Sequence, residues 1–180
     1  GGGGGGGGDD EQRPSRVYGH VRVTFCGKEE GDEYAVRKFE LEHLVARERR
    51  SVTHFQYSGW PDHGIPASRA GFLRLVRLAD ETNHTDGPLV VHCSAGVGRT
   101  GTFCTVHSTL EKYAADRAAD AEPQFNLLLA VLNMRTQRPG MVQTKEQFMF
   151  CYLAVREQLQ LYAAGTDTLP TPRSAVLAAA

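Results

Sequence analysis

Cys93 and Arg99 close the two ends of the run Cys93-Ser94-Ala95-Gly96-Val97-Gly98-Arg99, and Thr100-Gly101 follows directly. A guanidinium grips two oxygens of a phosphate in a fixed fork. A thiol at the floor of such a positive pocket titrates low and sits as the thiolate. Gly96, Gly98 and Gly101 let the backbone curl so that successive N–H groups point inward. An inward ring of amides opening a helix binds anions. An anion trap with a nucleophile at its base suits phosphoryl transfer through a cysteinyl-phosphate. The alternative for Cys93 is a buried apolar cysteine, which these glycines and this arginine suit poorly.

Such a loop needs one element to deliver it and another to receive it. Pro88-Leu89-Val90-Val91 is a short apolar run behind Gly87, the pattern of a buried strand. Phe103, Val106, Leu110 and Tyr113 recur at helical spacing on the other side. The stretch is therefore expected to join a buried strand to a helix starting near Thr100.

The chain has 180 residues, 41% of them hydrophobic, enough for one sizeable core and a single domain. Its formal net charge of −1 gives no reason to expect nucleic acid or an anionic membrane as partner. There is no apolar run long enough to span a bilayer and no leader-like opening, so a soluble, cytoplasmic protein is expected. Cys26, Cys93, Cys104 and Cys151 have neither disulfide-scaffold density nor metal-ligand pairing, and no metal or other cofactor is expected.

Residues 1–16, beginning with Gly1 to Gly8, read as a flexible lead-in. From Val17 to Phe25 apolar and polar residues alternate as one half-buried strand, and Gly27 to Asp32 reads as a turn. Glu33 to Leu44 is a second strand, with a bulge where its parity switches between Val36 and Phe39. Arg47 to Arg50 reads as a solvated turn, or else a substrate-facing basic patch, before a third strand over Ser51 to Tyr57. Trp60-Pro61-Asp62-His63-Gly64 is a stiff-ended loop. Ser68 caps a helix running to about Glu81. Ala114 to Pro123 reads as a linker, and Phe125 to Gln137 as a helix that is hydrophobic through Leu128, Val131 and Leu132. Arg138-Pro139-Gly140 stops it. Thr144 with Gln147 fits a capping box for a last helix to about Ala163, and residues 164–180 read as a disordered tail.

The full run His92-Cys93-Ser94-Ala95-Gly96-Val97-Gly98-Arg99-Thr100-Gly101 resembles the signature loop of the classical protein tyrosine phosphatases. The resemblance extends over residues 17–163 and corresponds to the C-terminal portion of that catalytic domain. It implies an α/β fold with a mixed twisted β-sheet flanked by helices, incomplete on its N-terminal side. It further implies hydrolysis of phosphotyrosine in proteins. Trp60-Pro61-Asp62 is similar to the family's mobile acid loop, which makes Asp62 the proton donor to the leaving phenol and later the base that activates water. A turn-stabilising aspartate is the other reading of Asp62. Gln143 resembles the glutamine that positions this water; Gln147 is either its companion or simply a cap residue. The resemblance assigns the phosphate oxygens to the backbone of Ser94 to Gly98, with Arg99. Thr100 is a candidate donor to the sulfur, or an ordinary first-turn residue. His92 either tunes the thiolate or is a satisfied core histidine, and Trp60 backs the acid loop. Neutral Ser94 and Val97 suit a single phosphomonoester better than a polyanionic head group. An inactive phosphotyrosine-binding module and a dual-specificity phosphatase are the alternatives.

Overall fold

The computed structural model describes residues 13–61, 64–83 and 87–170, and Asp62 lies outside them. The chain divides into two compact units, one up to Ser58 and one from Gly59.

The first unit is a meander of β1 (Ser15–Tyr18), β2 (Val21–Glu30), β3 (Tyr34–His43) and β4 (Glu48–Tyr57), each antiparallel to the next. The single strand expected over Val17 to Phe25 is broken by a two-residue turn, with Gly19 at φ +58° and Tyr18 paired with Val21. Glycine at the first turn position is the usual solution for such a hairpin. The polar alternation continued through the turn and hid it.

The bulge expected between Val36 and Phe39 is not there, since β3 pairs with β4 without a shift; the bulge of this sheet lies in β2. Phe25 pairs with Phe39 and Gly27 with Lys38, so Cys26 is the extra residue, in β2. Gly27 to Glu30, read as a turn, belong to the same strand. Glu48, Arg49 and Arg50, also read as a turn, begin β4, and Arg47 at φ +57° makes the reversal before them. The reason is cross-strand charge pairing: Glu42 bonds Arg22 at 2.6 Å on one side and Arg49 at 3.2 Å on the other. On the opposite face the Phe25 and Phe39 rings meet edge to face at 5.7 Å.

The second unit is built from α1 (Arg69–Thr82), α2 (Gly98–Ala118), α3 (Leu127–Gln137) and α4 (Lys145–Ala163). Ser68 caps α1 as expected, accepting from the Gly71 N–H at 3.0 Å. Phe72 of α1 sits edge to face against Phe150 of α4 at 5.1 Å and against Trp60 at 5.9 Å. Val106, Cys151 and Ala154 are fully buried between α2 and α4. Thr102 and Thr105 fit this core because their hydroxyls donate back to the Gly98 and Gly101 carbonyls of their own helix.

Several boundaries move. The helix α2 runs to Ala118, through residues read as a linker; alanines favour helix there, and Lys112 bonds Asp116 one turn on. The helix α3 starts at Leu127 behind the cap residue Asn126, and its buried face is Leu127 and Val131, with Leu128 and Leu132 exposed. Past Gly165, Asp167 accepts bonds from Arg77 of α1 and Gln158 of α4, so residues 164–168 are tied to the helices.

The largest departure is the run before Cys93. Residues 87–93 form no strand, and Val90 is 85% exposed. An apolar run becomes a strand only where a neighbour accepts its hydrogen bonds, and among the described residues none pairs with it. The sheet is therefore antiparallel throughout rather than mixed, while the α/β class holds.

Candidate active site

The curl of the loop follows from its glycines and from one arginine that follows α3. Gly96 adopts φ +69°, a conformation that suits a residue without a side chain. Arg138 donates to the Gly96 carbonyl through Nε and to the Ala95 carbonyl through Nη2, both at 3.0 Å. With these carbonyls held on the outside, the N–H groups of Gly96, Val97 and Thr100 serve the Cys93 sulfur. Val97, the residue ahead of α2, makes no side-chain cap, so the first amides of the helix are not consumed by one.

Cys93 is half-buried. Burial pushes its thiol up, but the Thr100 hydroxyl, 3.2 Å from Sγ, and the three amides together outweigh it and bring the thiol down to about 7. Burial alone raises Cys104, and at Cys151 deeper burial outweighs hydrogen bonds with Thr102 and Thr105 and drives the thiol up to about 12. The guanidinium of Arg99 donates from Nη2 to the Pro61 carbonyl at 3.0 Å. It thereby ties the loop to the segment Trp60-Pro61 that leads into Asp62. Trp60 is buried and its indole N–H donates to the Gly64 carbonyl at 3.1 Å.

The glutamines arrive from the start of α4. Thr144 accepts from the Gln147 N–H at 3.2 Å, the first half of the expected capping box. The second half is displaced by one residue, because Gln147 Oε1 accepts from the Gln143 N–H at 2.9 Å. Both amide side chains crowd Gly98: a Cβ there would lie 2.5 Å from Gln143 Oε1 and 3.1 Å from Gln147 Nε2. Gly101 is closer still to backbone, since its Cβ would meet Val142 N at 2.4 Å.

Val142 is the strained member of this group. It is buried at φ +58°, an outlier for a β-branched residue and worth about 1–3 kcal/mol of strain. Its N–H donates to the Val97 carbonyl at 3.1 Å, and Arg135 donates to the Met141 and Val142 carbonyls at 2.8 and 2.7 Å.

Cys93, Arg99, Thr100, Gln143, Gln147 and the loop Ser94 to Gly98 thus form one constellation in the second unit. His92, by contrast, is exposed, which rules out a core histidine. Arg135, Arg138 and Val142 were missed. Arg138 falls within the expected helix stop, and nothing in its spacing marks a grip on a loop more than forty residues earlier.

A family model of protein-tyrosine phosphatase matches residues 9–157. Tyrosine-protein phosphatase 2 of Dictyostelium discoideum is 50% identical over 125 residues, 68% of this chain and 33% of that protein. Protein-tyrosine-phosphatase PTP1 of Arabidopsis thaliana is 36% identical over 155 residues, 84% of this chain and 44% of that protein. Tyrosine-protein phosphatase non-receptor type 9 of Homo sapiens is 37% identical over 161 residues, 81% of this chain and 26% of that protein. The matches thus cover less than half the length of each of these relatives. With its anion loop, thiol and glutamines in one constellation and a family match over most of its length, the chain belongs to the protein-tyrosine phosphatase family.

Proposed function

We propose that this chain hydrolyses phosphotyrosine in proteins, in two steps. The Cys93 thiolate attacks phosphorus in line, and the phenolic oxygen leaves with a proton from Asp62. The cysteinyl-phosphate so formed is then attacked by water, whose proton Asp62 takes back. The P–S bond breaks and sulfur departs as thiolate, eased by the hydroxyl of Thr100. Inward amides of Ser94 to Gly98 and the fork of Arg99 hold the equatorial oxygens. Gln143 places the water, with Gln147 bracing its backbone, and His92 is a modulator at the loop's exposed edge.

One observation carries this reading: a thiol lowered to about 7 by one hydroxyl and three amides at the start of a helix. At neutral pH roughly half of it is thiolate. No cofactor is required by this route. The substrates it implies are phosphotyrosine-containing proteins, and an unpaired reactive thiolate suits a reducing, cytoplasmic setting. No helix among the described residues is long and apolar enough to cross a membrane.

A second reading draws on the run before Cys93, which forms no strand and where Val90 is exposed. There the loop binds phosphotyrosine and turnover fails because its entry side is weakly held. Release of phosphate from an aryl phosphate separates the two. Turnover that is blocked by vanadate and abolished in Cys93→Ser supports the enzyme. Phosphopeptide binding without phosphate release supports the binding module, and turnover surviving in Cys93→Ser sinks the mechanism. Equal rates on phosphotyrosine and phosphoserine would move the chain to the dual-specificity class.

A further inference from the structure

A cluster on the seam of α1 and α2 has no part in this chemistry. His107 and Glu111 stand one turn apart on α2, and Asp80 reaches them from α1. One ligand atom from each lies within 4.8 Å of the others, and His107 Nε2 is 2.6 Å from Asp80 Oδ1. The side chains of His107 and Asp80 are only 16% and 15% exposed, recessed but within reach of solvent. Phe103, one turn before His107, stacks on its ring at 5.7 Å with 13° between the planes, which restrains the plane of the imidazole. Two of the nearby cations have carboxylate partners outside the cluster. Lys112 bonds Asp116, and Arg77 bonds Asp167.

We propose that Asp80, His107 and Glu111 form a site for one divalent transition-metal cation, zinc foremost, that staples α1 to α2. Two carboxylates match a dication in charge, and the imidazole ligand favours zinc-like ions over magnesium or calcium. Around tetrahedral zinc, ligand atoms stand about 3.4 Å apart. The 2.6 Å contact therefore opens and the widest separation closes, each by about an ångström, which is side-chain motion alone. Water completes the shell. The site lies ~10 Å along the axis of α2 from Thr100, so its occupancy is separable from events at Cys93.

The test uses the full chain carrying Cys93→Ser, which removes the reactive thiol as a competing ligand. Equilibrium dialysis against zinc chloride at neutral pH should give one equivalent bound per chain, with a zinc-dependent rise in melting temperature. Glu111→Gln and His107→Gln in that background should each weaken binding at least tenfold. Cobalt(II) should show ligand-field bands without a sulfur-to-metal charge-transfer band. Absence of stoichiometric binding, unchanged affinity in Glu111→Gln, or a sulfur band would each overturn the site. Glu111→Gln removes charge but no volume, so it decides the matter even if His107→Gln fails to fold.

Discussion

At the scale of single residues, the Cys93 thiol sets the pH behaviour. Its folded value of about 7 lies below the ordinary 9.0, so the thiolate favours the folded state. That contribution is fully present above about 9 and is lost as pH falls through about 7. The stability difference between the parent chain and Cys93→Ser should therefore grow from pH 6 to pH 9 in urea titrations. A flat difference would contradict the assignment. Alkylation of Cys93 should rise with a midpoint near 7, and Thr100→Val should move that midpoint upward while slowing turnover roughly 10–100-fold. Arg138→Ala frees two carbonyls that now face outward. A loss of about 10–100-fold in kcat is expected, larger than any change in KM, because the amides would no longer be held in place. Unchanged steady-state kinetics would remove Arg138 from the loop's support. Residues that touch the sulfur were legible in the sequence because they lie within eight positions of one another. Arg135 and Arg138 were not, because their targets are set by tertiary placement alone.

At the scale of elements, two glycines separate stability from catalysis. Gly101→Ala pushes a methyl group against the Val142 backbone, which cannot yield cheaply, so a loss of about 1–3 kcal/mol is expected from urea unfolding. Gly98→Ala meets the far ends of two glutamine side chains, which can swing aside. It should leave stability nearly intact and depress turnover by displacing Gln143. If both variants lose stability equally, the glutamines are as rigid as backbone. Helices were read well from the sequence where a cap announces them, at Ser68 and Thr144. Strands were read less well. Alternation ran through the Gly19 turn, and the parity break in β3 marks no bulge of its own, since the extra residue of that pair is Cys26 in β2.

At the scale of the whole molecule, the run 87–93 shows why a strand is a joint property of two segments. Its composition is that of a buried strand, yet Val90 stands in water. Val90→Lys should reduce light scattering by concentrated protein without slowing aryl phosphate hydrolysis. A fall in activity of tenfold or more would mean that the valine supports Cys93 after all. The end of α3 has a wider consequence. Arg135 in its last turn and Arg138 just beyond it clasp two separate stretches, one following Cys93 and one leading to Gln143. Fraying of that single turn would release both clasps together. Amide exchange at Gly96 and Val142 should then share one opening rate, so that the loop after Cys93 and the stretch leading to Gln143 loosen in the same fluctuation.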